Sequence, residues 1–546
     1  MTELAGLSIA IFDQLLKLGE KTAQIISDAR SFNDDTEQYY NKIVDENNRT
    51  KQLRHILFEP SPIYGGLTLF ENFDDDVQQQ IKVFLGRLVH MLKEALDLLE
   101  SRYGNNEAAK KPSMTTSLSS LSLTSSRSSQ EARSPSPRSW KHYSRQSISL
   151  LKWSLQDKKR TEEVLKDFSD LNGRIHENIK LWCLASSIGL NMQHLKRLQN
   201  DENAKQLGFD IDATLQITAT EVGRMDFSFE LSSAWLECLR RATPVEERFA
   251  LVQEDGKTFL MEHRRYDGQP DVAGEIDSRT RIRINDLAGL LSQPKEKVFC
   301  IPRCVGWKYV QSQSDIAFLF ETPQGCIPEP VSLYRLLDMK TVKLTLGQRF
   351  KLASALAKCI TQLQMVKWVH ESFRSENILF FPSASKKCIG SDSDEPCIDY
   401  GDPCVLGFEF TRPEIDFSAG FADLSLERDV YRHPERQGRP GRMFTKIHDV
   451  YALGVVLLEI GLWQRAITLE KNQFRTARDP FVIQAQLLKQ AQRRLGDKMG
   501  EKYQQVVIAC LTGEFGVQND TREDLKLQQA FRTQVVDVLE RASSCL

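Results

Sequence analysis

Trp368–Phe381 reads W-V-H-E-S-F-R-S-E-N-I-L-F-F. A charged loop runs here into the short apolar strand Ile378–Phe381. Ahead of it, Leu346–Val366 has the pattern of a long helix, and after it Asp449–Leu462 is a strongly apolar one. Further back, R-F-A-L-V-Q-E-D-G-K-T-F-L-M-E-H-R-R-Y from Arg248 reads as two strands around a turn at Asp255-Gly256. K-V-F-C-I-P-R-C-V-G-W-K-Y-V-Q and S-D-I-A-F-L-F-E-T-P supply two more strands. Strands first and helices afterwards predict an α+β domain of two lobes over residues 245–546.

The quoted loop resembles the catalytic loop of protein kinases, H-R-D-L-K-P-E-N, with His370, Glu376, Asn377 and Ile378 in matching places. Y-R-H-P-E at Tyr431–Glu435 is similar to the A-P-E segment, and F-T-K-I-H-D-V-Y-A-L-G-V-V-L-L-E-I at Phe444–Ile460 is similar to the kinase F helix. The resemblance implies structural roles for His370, Glu435 and Asp449, the last holding the catalytic-loop backbone. Phosphoryl transfer needs a carboxylate at the hydroxyl, another at magnesium, a lysine on the phosphates and a glycine-rich cover. Here the loop aspartate position is Ser372 and the loop lysine position is Arg374. The D-F-G position falls on Gly407-Phe408-Glu409. The strand lysine position falls on Arg264, with Arg265 as the other candidate, and Asp286 is the guess for its acidic partner. No GxGxxG precedes it. The resemblance with these departures implies a pseudokinase, with no catalytic residues and no required cofactor. Arginine can pair phosphate, which leaves ATP binding through Arg264, Asn377 and Glu409 open. For Asn377, a hydrogen bond to the loop backbone is the plainer expectation. An unconventional active kinase using Glu409 is the competing one.

The composition bounds what else the chain does. Its 546 residues are 41% hydrophobic and 27% charged, an ordinary globular balance of roughly three units at about 150 residues each. The net charge of −2 gives no argument for nucleic acid as a partner. It is a cancellation: residues 1–102 carry −6, residues 103–160 carry +8, and the rest carries −4. The positive block overlaps a serine-rich stretch, read as a disordered loop over about 104–147. It contains Ser134-Pro135 and Ser136-Pro137, proline-directed patterns for phosphorylation. Eleven scattered cysteines without a CxxC pair suit a reduced, cytoplasmic chain. Cys300 and Cys304 read as buried strand thiols and His194 as a surface residue, so no metal site is expected.

Residues 1–195 read as an all-α bundle of four amphipathic helices, about 3–28, 34–58, 74–100 and 155–182. In the first, Leu4, Leu7, Ile11, Leu15, Leu18 and Ile25 mark one face. Residues 196–244 are read as a connector. The opening A-G-L-S-I-A-I-F-D-Q-L-L-K-L-G-E-K and the segment K-W-S-L-Q-D-K-K-R from Lys152 resemble the HeLo, or prion-inhibition-and-propagation, domain of fungal heterokaryon-incompatibility proteins. Trp153, Leu155, Asp157, Lys158 and Lys159 carry the match. The resemblance implies a filamentous fungus and a cell-death executor whose first helix, with Leu4, Leu7, Ile11, Phe12 and Leu15, meets membrane on activation. The same residues read as a core-facing helix otherwise. The expected partners are proteins, a homo-oligomer and an anionic membrane surface, the last only on activation. A non-lytic scaffold docking partners through both domains is the alternative.

Overall fold

The computed structural model describes residues 3–29, 35–103, 137–221, 228–266, 276–387, 396–408, 426–437, 443–470, 474 and 479–546. The chain divides into two compact units, residues 1–180 with 202–207, and residues 181–201 with 208–546.

The first unit is helical. Its elements are α1 (Glu3–Ala29), α2 (Asp35–Phe58), α3 (Asp75–Tyr103) and α4 (Pro137–Ala185), whose last turn passes into the second unit. Helix α4 starts eighteen residues before the expected Leu155. Proline at the first helical position forfeits no hydrogen bond, so Pro137 opens the helix rather than delaying it. Helix therefore occupies residues 137–147 of the expected loop; residues 104–136, with Ser134 and Ser136, lie outside the described residues.

Helix α1 packs on α2 and α3, but its buried face is not the expected one. Ala5, Ser8, Phe12, Leu15, Thr22 and Ile26 are buried, whereas Leu4 and Ile11 are half-buried and Leu7 is 46% exposed. The face is turned by about one residue. Small side chains at 5 and 8 let neighbouring helices come close, and the Thr22 hydroxyl is satisfied by the Leu18 carbonyl at 2.7 Å. Asp13 pairs with Arg54 Nε at 2.8 Å. A buried polar network joins α2 to α4: Glu46 accepts from Ser169 Oγ at 2.7 Å and from Asn172 Nδ2 at 2.7 Å. Val77, Ile81, Leu85, Leu88 and Leu92 of α3 are buried as their spacing predicts.

The stretch expected as a connector is largely helical: it holds α5 (Met192–Asn200) from residue 196 on, α6 (Glu202–Gln206), α7 (Phe209–Thr220) and α8 (Trp235–Arg240). In the second unit α5 packs against α7, and Gln216 Nε2 donates to the Leu184 and Gly189 carbonyls. His194 is buried, not on the surface, with Nε2 3.0 Å from the Cys183 carbonyl. Burial pushes its pKa down to about 4, so it is neutral.

Strands β1 (Thr243–Glu246), β2 (Phe249–Glu254), β3 (Lys257–Arg265), β4 (Cys304–Val310) and β5 (Asp315–Glu321) make an antiparallel sheet in the order β1-β2-β3-β5-β4. Strands β2 and β3 meet at Asp255-Gly256, with φ of +48° and +73°, the tight hairpin turn that matches strand twist. Phe249, Leu260, Phe318 and Phe320 face the main core, and Ala250, Val252, Met261 and Leu319 face α8. Helix α9 (Ser278–Ser292) lies against β4.

The rest of the second unit is mainly helical. It contains β6 (Val331–Ser332), α10 (Leu333–Asp338), α11 (Leu346–Met365), β7 (Ile378–Phe380), β8 (Ser383–Lys387), β9 (Pro396–Cys397), β10 (Cys404–Val405), α12 (Leu426–Asp429) and α13 (Lys446–Leu462). Strand β7 lies between β10 and β6. Helix α13 is buried on nearly all sides, which explains its unbroken apolar run. Among the described residues, no helix is long and apolar enough to cross a membrane.

Candidate functional site

The loop between α11 and β7 is fixed from below by α13. Asp449, in the first turn of α13, accepts from the backbone N–H of His370 at 2.6 Å and of Glu371 at 3.0 Å. Glu371 needs this support, because its φ of +62° is unusual for a residue with a side chain. His370 lies 4.2 Å from the Phe408 ring and 5.5 Å from that of Phe373, between centroids. Its Nδ1 accepts from Ser372 N at 3.3 Å, and burial, helped by Arg374, pushes its pKa down to about 3. A neutral imidazole in that setting organises the loop.

At the expected carboxylate position, Ser372 Oγ accepts from Arg374 Nη1 at 2.7 Å. Arg374 Nε also donates to Glu376 at 3.0 Å. Asn377 Nδ2 donates to the Ser372 carbonyl at 2.8 Å, so the asparagine amide braces the loop backbone. The next position is closed by shape. Gly407 has φ of +78°, and a Cβ added there would lie 2.2 Å from Asn377 Cγ and Nδ2. A metal-binding side chain at 407 is incompatible with Asn377 as it stands. Glu409 lies outside the described residues.

The strand residue that sequence reasoning missed is Glu262. It is fully buried on β3, on the same face as Leu260 and Arg264. Its Oε1 receives Arg264 Nε at 2.9 Å and Arg248 Nη2 at 3.3 Å, and its Oε2 receives Gly407 N at 3.2 Å. Burial alone would raise its pKa, but the two guanidiniums and the Gly407 N–H hold it below the usual carboxylate range. Arg264 lies over the Phe318 ring at 4.7 Å, and Arg265 is exposed. Asp286 is buried on α9. Arg264 has a carboxylate partner, Glu262, two residues away on its own strand. Period-two alternation through Leu260 and Arg264 was the signal for Glu262.

The segment after α12 contributes a second polar cluster. Tyr431 OH donates to Glu459 Oε1 at 2.6 Å and meets Ser375 Oγ at 2.8 Å, and Ala466 N donates to the same Glu459 oxygen at 2.7 Å. Burial raises the Glu459 pKa from 4.5 to about 7. Its folded-state proton is held more tightly than in the unfolded chain. The stability this provides is complete below about pH 4.5 and lost as pH rises through about 7. Glu459→Gln, which carries no such proton, should therefore gain on the native chain by roughly 2–4 kcal/mol between pH 4.5 and 7.5. Urea titrations of both proteins across that range check it; a parallel pH course for the two would refute it.

Glu435 lies 3.7 Å from His448 Nε2 and 4.0 Å from His433 Nδ1, and donor atoms of the three fall within 4.8 Å of one another. Both histidine Nδ1 atoms accept backbone hydrogen bonds, from Glu435 N at 3.3 Å and Thr445 N at 3.0 Å. The neutral rings then carry their protons on Nε2, the tautomer that caps a helix and has no Nε2 lone pair for a metal. Beside this cluster and the loop is a cavity of about 60 Å³ lined by Ser372, Arg374, Tyr431, His433 and Arg436 among others.

Of the expected site, His370, Ser372, Arg374, Asn377, Gly407 and Asp449 are gathered around one loop, and Arg264 reaches it through Glu262 and Gly407. Glu435 lies at the N-terminal end of α13. Residues Leu4, Leu7, Ile11, Phe12 and Leu15 belong to the first unit.

Residues 21–213 match the model of the HeLo family, described as prion-inhibition and propagation. Residues 320–544 match a domain of unknown function, DUF7580. No curated protein matches the chain. The HeLo match includes the Trp153–Lys159 segment and points to fungal prion-inhibition and incompatibility-type signalling in general.

Proposed function

We propose that this chain is a fungal cell-death or incompatibility-type signalling protein in which a protein-kinase-like domain without phosphoryl transfer regulates a membrane-active HeLo bundle. The kinase-like reading is supported by five strands with α9 inserted between β3 and β4, and by Asp449 gripping the loop backbone. The observation that carries the loss of catalysis is the Glu262–Gly407 contact. A buried carboxylate occupies the strand whose usual cation binds phosphate, and it holds the backbone where a metal-binding carboxylate would stand. Arg248 and Arg264 are engaged by this carboxylate, so ATP is not a ligand in this reading. Signalling then rests on binding and conformational change.

On activation, α1 leaves the bundle and inserts. It is 27 residues long, about 40 Å at 1.5 Å per residue, but it carries charges within that length. Asp13 would exchange its Arg54 partner for apolar surroundings, at about 2.5–3.5 kcal/mol at the bilayer centre. Insertion therefore calls for an oligomer that covers Asp13. Leu7 gives a clean test, because it is already exposed in the resting bundle. Expression of the full chain should kill a fungal cell, and purified protein should make anionic liposomes leak. Leu7→Glu should abolish both while leaving the melting temperature within about 2 °C, as surface changes usually do. Death and leakage at native levels in Leu7→Glu would remove α1 from the mechanism; a native protein causing neither would favour a scaffold.

A further inference from the structure

The cavity beside the loop has an uneven charge lining. Four arginines line it, Arg374, Arg428, Arg432 and Arg436, against two acidic residues, Glu371 and Asp449. Asp449 spends both oxygens on the backbone N–H groups of His370 and Glu371. The arginines are not idle surface charges: Arg374 is 4% and Arg436 6% exposed. Arg436 lies over the Phe444 ring at 5.6 Å and has the Glu371 carboxylate as an electrostatic neighbour. Arg428 shares Glu376 with Arg374, approaching it at 3.6 Å, and reaches the outlying Glu247 at 3.2 Å. Among the described residues, Arg432 approaches a carboxylate, Asp429, only at 4.0 Å, beyond hydrogen-bond distance.

We propose that this cavity is a binding site for a phosphate monoester on a polypeptide, with Arg432 and Arg436 as its principal contacts. Guanidiniums pair phosphate through parallel N–H donors, and partial desolvation strengthens those bonds. A compact tetrahedral dianion suits a hollow of about 60 Å³ better than a nucleotide does. The recessed arginines favour an extended peptide that can deliver its phosphate inward over a lipid headgroup held in a bilayer. The site depends on the cavity lining and not on the loss of phosphoryl transfer, so it goes beyond the function proposed above.

The test is calorimetric titration of the full chain with four probes: N-acetyl-phosphoserine methylamide, its serine counterpart, inorganic phosphate, and vesicles containing phosphatidic acid. The phosphoserine probe should bind at least tenfold more tightly than the serine probe. Arg432→Gln and Arg436→Gln should each weaken it tenfold or more, and Arg432→Lys should retain part of the binding. Melting curves monitor folding, and Arg428→Gln stands as a third variant should Arg436→Gln unfold. Equal binding of the phosphoserine and serine probes would overturn the proposal, as would insensitivity to Arg432→Gln in a folded protein. Inorganic phosphate matching the phosphoserine probe would make free phosphate the ligand. Arginine-dependent vesicle binding without phosphoserine binding would assign the site to a membrane. Either result overturns the peptide assignment.

Discussion

Glu262→Ala is expected to cost the second unit about 3–5 kcal/mol, the range for removing one partner of a buried ion pair. The carboxylate is fully buried and pairs with two guanidiniums at 2.9 and 3.3 Å. Its loss takes the shared counter-charge from Arg248 and Arg264 in a region of low dielectric, and deprives Gly407 N of its acceptor. The expected signature is local as well as global. Urea unfolding of the second unit should shift to lower midpoint, and amide exchange at Gly407 should accelerate. Glu262→Gln keeps an acceptor for Gly407 but not the charge, and should fall between the two. A loss below 1 kcal/mol in Glu262→Ala would mean that the guanidiniums are not held by this residue, and would take with it the reading of Glu262 as the closure of the site.

Gly407→Asp is the substitution that would nominally restore a metal-binding carboxylate, and it should fail twice. The Cβ would sit 2.2 Å from the Asn377 side chain, and a φ of +78° is itself strained for any residue with a side chain. Together these should cost about 3 kcal/mol or more. Gly407→Ala should lose nearly as much, because the collision begins at Cβ rather than at the carboxylate. Asn377→Ala in the same chain should return part of that loss, so the two changes should show a coupling above about 1 kcal/mol. No variant should transfer radiolabelled phosphate with magnesium or manganese, because position 372 still holds serine. Transfer by Gly407→Asp would refute the closed-site reading; additive effects at 407 and 377 would refute the steric one.

The parts of the fold that sequence reached are those governed by periodicity and turn chemistry. The Asp255-Gly256 hairpin, the four strands around it, and the apolar run of α13 follow from patterns of two and of complete burial. The first unit was legible as helices but not as faces. Large aliphatic residues pointed to Leu4, Leu7 and Ile11, whereas close helix packing selects by size and buries Ala5 and Ser8 instead. Residues 196–244 carry short helices whose stability comes from tertiary contacts, such as Gln216 on the Leu184 carbonyl, and these leave no strong local pattern. The loop site was legible in its backbone parts, His370, Asn377 and Asp449, because those need particular residue types at fixed spacing. Glu262 was not, since a search for a cation on β3 passes over an anion that recruits its cations from Arg264 beside it and Arg248 on the neighbouring turn. Nor does sequence show that Asn377 fills the space beside Gly407, which only the folded backbone defines.

The fit of the Asn377 amide against Gly407 also limits what can be built there. Placing a carboxylate at 407 requires Asn377 to give up its place first, and that change loosens the loop before any benefit arrives. Replacing Glu262 by a cation would set three positive charges together unless Arg248 and Arg264 changed as well. At these two positions a single substitution weakens the chain before it adds any new chemistry. Substitutions at 407 and 262 are therefore order-dependent: the interlocked neighbour has to change before the position itself can.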